Sequence, residues 1–266
     1  GAALALEYLD DTLQTAEHVL HSLDLSTLGS IANIGGQDYP DKLIVLRSPR
    51  SPTAESYRML RTNLHLSDAD SPPCTLLVTS SMPTEGKSLT AANLAIVTAQ
   101  ANRRVILIDA DLRRPTQHRI FGVDNQVGFA TVLAGNAELA GALIAGPTDN
   151  LRILPSGGTL ETRVELLVSE KTAHIIQALK QMADVVIFDG PPTLAVTDAA
   201  ILASKVDSTL LVIDASKTRR AVALRSKKTL EAVGARLVGV VLNRLSRSDK
   251  GYYAYHQYYG EDTPSS

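Results

Sequence analysis

Lys87 stands between Gly86 and Ser88 in SSMPTEGKSL, residues 80–89, and that triplet can hold a phosphate. The general phosphate-cradling pattern is G-x-x-x-x-G-K-[ST]. Gly86 permits close backbone approach, and the amides of residues 83–88 then point at the phosphate. The Lys87 ammonium suits β- and γ-phosphates, and the Ser88 hydroxyl suits Mg²⁺. Ser81 occupies the place of the pattern's first glycine and is small enough not to block the loop. The triplet alone is weak evidence, because it also caps ordinary helices. Three acids strengthen it: Asp109 and Asp111 end VILIDAD, and Asp189 follows VVIF. Their hard oxygens suit Mg²⁺, so one can hold the metal while another takes a proton from an attacking hydroxyl. A lone Asp ending a strand is more often a loop cap, but three behind one Lys-Ser loop are hard to explain as caps. Arg113 and Arg114 follow Asp111, either to stabilise phosphate charge or to form a solvated turn.

These residues can meet only on loops at one edge of a sheet. TLLVTS (75–80) is a continuous apolar run ending at the glycine-bearing loop, and residues 88–101 are alanine-rich and helical. VILIDAD (105–111), LRILPSG (151–157), DVVIFDGPP (184–192), STLLVIDAS (208–216) and LVGVVLN (237–243) read as further strands. Helical stretches over 164–182, 197–204 and 219–233 alternate with them. This is the pattern of an α/β protein with a doubly wound, mainly parallel sheet covered on both faces. Ligands in such sheets bind beyond the carboxyl ends of the strands, which singles out the loops after residues 80, 109, 189 and 214.

Upstream, residues 4–23 have helical spacing, and Ser26 to Asp41 reads as a linker. Ser51-Pro52-Thr53-Ala54-Glu55 opens a helix to about Leu66 that carries Glu55, Arg58 and Arg61 on one face. The spacing divides the chain into a helix and linker (1–41), an α/β domain (42–248) and a tail (249–266) without periodicity or fixed structure. Tyr252, Tyr253, Tyr255, Tyr258 and Tyr259 crowd that tail, either as phosphate acceptors or as an aromatic docking patch.

The 266 residues suffice for one large α/β domain. A formal charge of −2 gives no argument for nucleic acid or acidic membrane. Without tryptophan and with three phenylalanines, the core must be aliphatic. Cys74 is the single cysteine, so no intrachain disulfide forms. No signal peptide and no bilayer-length apolar run is visible. The apolar start GAALALEYLDD is read equally as a helix start or as the end of a spanning helix.

Together these features closely resemble the bacterial tyrosine kinases, the cytoplasmic P-loop modules of polysaccharide co-polymerase systems. VTSSMPTEGKS resembles their Walker A motif, VILIDADLRRP their Walker A′ and VVIFDGPP their Walker B. ESYRMLRTNL is similar to their oligomerisation motif, on Glu55, Arg58 and Arg61, and the tail to their tyrosine cluster. EYLDDTLQTAEHV resembles the segment just inside a spanning helix, which favours a fragment at the cytoplasmic face of the bacterial inner membrane. The resemblance implies ATP and Mg²⁺, with nucleotide contacts along Pro83, Thr84, Glu85, Gly86, Lys87, Ser88 and Leu89, and at Arg113. Asn243 would touch adenine. Ser88 and Asp189 would hold the metal, Asp189 directly or through water, and Asp109 would bind it or activate the tyrosine, supported by Asp111. It implies trans-autophosphorylation of the tail in a ring of eight subunits and control of extracellular or capsular polysaccharide export. The implied partners are a membrane-anchored activator, protein-tyrosine substrates and a phosphatase, with no nucleic acid. One departure is Thr84, where many members carry glycine. Threonine takes a positive φ less readily, so the loop is either strained there or does not need that conformation.

Two other readings compete. A partitioning or septum-positioning ATPase shares the P-loop class, but those proteins carry an early lysine that Ser81 to Glu85 lacks. A non-catalytic scaffold would assemble through Glu55, Arg58 and Arg61 without binding ATP.

Overall fold

The structure, a computed structural model, describes residues 11–36, 38–67, 74–158 and 163–246. The chain enters through helix α1 (Ala16–Leu23) and strand β1 (Thr27–Ala32), then turns through Pro40–Lys42 into α2 (Ile44–Arg47) and α3 (Pro52–Leu66). Strand β2 (Thr75–Ser80) leads through the Gly86 loop into α4 (Lys87–Gln100), and β3 (Val105–Asp109) follows. Short helices α5 (Gln117–Phe121), α6 (Phe129–Ala134) and α7 (Leu139–Ala142) precede β4 (Ile144–Ala145) and β5 (Leu151–Leu154). Helices α8 (Arg163–Val168) and α9 (Glu170–Met182), β6 (Val185–Asp189) and α10 (Asp198–Ala203) come next. Strand β7 (Ser208–Asp214), α11 (Arg220–Glu231) and β8 (Leu237–Leu245) complete the described elements.

The strands form one sheet in the order β1-β8-β7-β2-β6-β3-β5-β4, parallel except for β4 against β5. Side chains alternate between two apolar layers. Leu76, Val78, Val105 and Leu107 join the cluster under α3 and α4. Leu77, Ile106, Ile108, Val186 and Phe188 face α6, α9 and α10. At the β8 end α1 and α11 complete the second layer, with Val19, Leu23 and Ala223 against Leu211 and Ile213. Burial on both faces is why these strands read as unbroken apolar runs.

Three local readings change. The helix expected over 4–23 begins, among the described residues, at Ala16, because Thr12 bridges Arg219 and Thr15 accepts the His18 amide as an N-cap. The stretch read as a linker from Ser26 contains β1, paired in parallel with β8. Its Gly29 is there for packing: a Cβ would lie 3.2 Å from Leu60 of α3. The expected helix over 164–182 breaks at Ser169, whose extended backbone stops α8 and whose hydroxyl donates to the Leu166 carbonyl. Helices α5 to α7 and strand β4 are too short to leave a periodic signal. The tail lies outside the described residues.

Candidate active site

Strand order brings the acids and the lysine together. Strand β6 lies between β2 and β3, and Asp189 is in register with Asp109 on one side and Val78 on the other. The loop after β2 therefore rises beside both carboxylates. Gly86 caps α4 at φ 97°, and Thr84 stands at φ 69°. The loop thus uses a left-handed residue at Thr84, where β-branched side chains seldom go. Ser81 is absent from the residues with positive φ and is fully buried, so its position makes no demand for glycine.

Lys87 is buried, and its Nζ lies 2.9 Å from Asp111 Oδ2, 3.3 Å from Asp189 Oδ1 and 3.1 Å from Ser88 Oγ. Asp109 Oδ2 accepts the amides of Thr116 and Gln117, each at 2.8 Å, so the start of α5 holds that carboxylate. Its Oδ1 is buried without a partner. Gln117, which carries no motif signal, ties the pieces together. Its Nε2 donates to Asp189 Oδ2 at 2.8 Å and to the Ser88 carbonyl at 3.0 Å.

Burial pushes the Asp109 carboxyl up to about 8, helped by the Asp189 charge and opposed by the Gln117 and Thr116 amides. Burial also raises Asp189, against the pull of Lys87. Burial opposes the Lys87 charge, but the Asp189 and Asp111 carboxylates override it and hold its pKa above the ordinary value. Three carboxylates gather around one ammonium, so the cluster is short of positive charge and a cation at the unpartnered Asp109 oxygen would offset it.

The loop is braced from beneath. Glu85 is buried, accepts the Met82 amide at 2.9 Å and takes the hydroxyl of Thr218. What Glu85 can offer a phosphate is its backbone, since its carboxylate faces inward. Asn243, at the end of β8, donates Nδ2 to the Glu85 carbonyl at 2.9 Å. A Cβ at Gly86 would come within 2.0 Å of that amide nitrogen. Asn243 therefore supports the loop as well as lining a neighbouring cavity. Arg113 clamps Asp198 at 3.0 and 3.2 Å while lining the cleft.

A cleft of about 790 Å³ opens over Gly86, Lys87, Ser88 and Asp111. A second of about 650 Å³, over Asn243 and Ser216, shares Lys42, Gly86, Leu89 and Arg244 with it. Two chambers meeting at the loop suit a phosphate chain attached to a base. Among the described residues no group of three or more His, Cys, Asp or Glu could hold a metal unaided. Ser88, Asp189 and the unpartnered Asp109 oxygen instead fit a metal that arrives with phosphate oxygens, which is how Mg²⁺ is usually held. Away from the cleft, Arg58 pairs with Glu55 at 2.7 Å and donates to the Pro49 carbonyl, and Arg61 donates to the Val97 carbonyl. Among the described residues no helix is long and apolar enough to cross a membrane.

The family described as AAA domain matches residues 84–226. The chain is 40% identical over 214 residues to the tyrosine-protein kinase YwqD of Bacillus subtilis (strain 168), covering 79% of this chain and 90% of that one. The chain belongs to the bacterial tyrosine kinases. It is a protein-tyrosine kinase domain on a nucleotide-binding P-loop fold. The putative tyrosine-protein kinase CapB of Staphylococcus aureus is 35% identical over 83% of this chain and 96% of its own. The kinase wzc of Salmonella typhimurium is 33% identical over 82% of this chain but only 30% of its own length. The solved kinase domain of Escherichia coli ETK superposes with a TM-score of 0.81 at 26% identity, covering 96% of this chain and 97% of that one. The septum site-determining protein MinD of Pyrococcus horikoshii, complexed with Mg-ADP, reaches 0.56 at 26% identity, covering 66% of this chain and 72% of that one. The partitioning-type proteins thus share the P-loop core, and the kinases share nearly the whole chain.

Proposed function

We propose that this kinase transfers the γ-phosphoryl group of ATP to its own C-terminal tyrosines, Tyr252, Tyr253, Tyr255, Tyr258 and Tyr259, with each tail entering a neighbouring subunit's cleft. The observation that carries this reading is Lys87 gathered with Asp111 and Asp189 behind the loop, beside an Asp109 oxygen without a partner. Bound Mg²⁺ would supply charge neutralisation across the phosphate oxygens. Ser88 and Asp189 would hold it, with Asp109 behind them. The loop amides and Lys87 bind and orient the phosphates. Asp111 lines the open cleft whereas Asp109 is fully buried, which favours Asp111 as the acceptor of the tyrosine proton. The tyrosine oxygen–phosphorus bond forms as the bond to the leaving ADP oxygen breaks.

The subunits assemble through Glu55, Arg58 and Arg61 into a ring, with eight as the number the family resemblance implies. A membrane-anchored segment activates it, a phosphatase resets it, and added phosphate charge loosens the ring, which regulates polysaccharide export. The test mixes a Lys87→Met chain that keeps its tail with a chain lacking residues 249–266, in ATP and Mg²⁺ with the activator segment present. Mass spectrometry should find phosphate on the Lys87→Met tail; an unmodified tail beside active truncated kinase would overturn transfer in trans. Alanine at Arg58 and Arg61 should remove the high-mass species from light scattering, and its persistence would overturn the assembly role.

A further inference from the structure

Among the described residues six cations line the cleft: Lys42, Lys87, Arg113, Arg114, Arg119 and Arg244. Three are matched by carboxylates within the fold, Lys87 by Asp111 and Asp189, Arg113 by Asp198, and Arg244 by Asp214. Lys42, Arg114 and Arg119 have no ion-pair partner among the described residues, in a chain whose formal charge is −2.

What holds two of them is an aromatic ring. The Arg119 guanidinium lies 5.0 Å from the Tyr39 ring centroid, and Lys42 Nζ lies 5.9 Å from it. A carboxylate in that place would fix the cations and neutralise them. Tyr39 fixes them and leaves their charge available. Arg114 is placed by its own backbone, since its amide donates to Asp111 Oδ1 at 3.0 Å. It therefore stands beside the carboxylate proposed above to accept the tyrosine proton. Lys87 and the loop amides are placed for the nucleotide phosphates, which leaves the charge of these three cations available to a second anion.

We infer that Lys42, Arg114 and Arg119 form a docking site for an anionic group flanking the acceptor tyrosine, an acidic side chain or a phosphotyrosine. The inference rests on the kinase reading of the cleft and specifies its substrate class. Clusters of arginine are the usual readers of such groups in peptides. Within the tail, residues 251–260 hold no acid, Glu261 and Asp262 follow Tyr259, and two tyrosine pairs are adjacent. The Tyr258–Tyr259 pair should then be modified first, and each new phosphotyrosine becomes the anion that recruits its neighbour.

The test uses the full chain at fixed ATP and Mg²⁺ with three peptides carrying one acceptor tyrosine. The neighbouring residue is alanine, glutamate or phosphotyrosine. Wild type should favour an anion-flanked peptide over the alanine one by about tenfold in kcat/KM, the size of a charge-assisted contact. That preference should shrink in high salt. A preference confined to phosphotyrosine assigns the site to primed substrates, and one shared by glutamate assigns it to acidic substrates generally. Arg119→Ala and Lys42→Ala should each reduce the ratio several-fold, and Arg119→Lys should restore part of it. Turnover of all three peptides without preference overturns the inference and leaves the kinase reading standing. So does an equal loss on all peptides with a matching rise in KM for ATP, which would assign the cations to the nucleotide. No turnover of any peptide overturns the kinase reading and this inference with it.

Discussion

Replacing Thr84 by glycine should make the protein more stable. Thr84 holds φ 69°, and its side chain is exposed, so the substitution removes strain without removing packing. The left-handed region costs an L-residue roughly 1–2 kcal/mol, and glycine loses roughly 0.5–1 kcal/mol more chain entropy on folding. The net gain is about 0.5–1 kcal/mol, or about 1–4 °C in Tm for a chain of this size. Urea unfolding should show a higher midpoint with an unchanged slope. Thr84→Ala keeps a Cβ at the same φ and should gain much less. Equal gains from alanine and glycine would show that the methyl and hydroxyl, not the backbone angle, carry the cost. A glycine variant less stable than wild type would refute the strain altogether. The Glu85 and Asn243 braces stay in place in either variant, so nucleotide affinity should change less than about threefold if the strain is the same bound and free.

Gln117→Leu should raise the Mg²⁺ concentration for half-maximal transfer by about tenfold, because Asp189 Oδ2 and the Ser88 carbonyl lose their shared donor. A Mg²⁺ titration of initial rates checks it, and an unchanged midpoint would make Gln117 a bystander. Burial raises the Glu85 carboxyl pKa above its usual range, against the Met82 and Thr218 hydrogen bonds. Above the usual carboxylate pKa the folded state then keeps a proton that the unfolded chain has lost, so this group lowers stability as pH rises toward its folded pKa. Glu85→Gln should flatten that decline when urea midpoints at pH 5 and pH 7.5 are compared with wild type, and parallel declines would contradict it. Gly86→Ala should abolish nucleotide binding in calorimetry, since its φ of 97° and the 2.0 Å approach of Asn243 Nδ2 leave no room for a methyl. Adding Asn243→Ala should recover part of the affinity, a coupling on the order of 1 kcal/mol.

The grouping of Lys87 with the three carboxylates was legible because these residues sit at or just beyond the ends of buried strands, and strands buried on both faces are loud in sequence. Lys87, Ser88, Asp109, Asp111 and Asp189 could be named from spacing, and the sheet register explains why they meet. Gln117 could not, because it reaches Asp189 only after α5 folds back, and five helical residues leave no period to read. Lys42 and Tyr39 lay in a stretch read as linker and domain start, whose link to the cleft is tertiary. Strand β1 was hidden for a related reason: Gly29, which suggests a loop in sequence, is the residue that lets α3 pack close. The irregularity of the loop was visible, but its meaning reversed with position. Ser81, the missing glycine of the general pattern, sits without a positive φ, while Thr84 carries one.

Lys87, Ser88 and the three carboxylates should pass a phosphoryl group to tyrosine rather than to water. A single-turnover reaction with ATP labelled on the γ-phosphate, with Mg²⁺ and the activator segment, tests it most directly. The label should appear as phosphotyrosine on the tail and vanish in Lys87→Met. Label released entirely as inorganic phosphate, with the tail unmodified, would rule out transfer to tyrosine and leave an ATPase on the same fold.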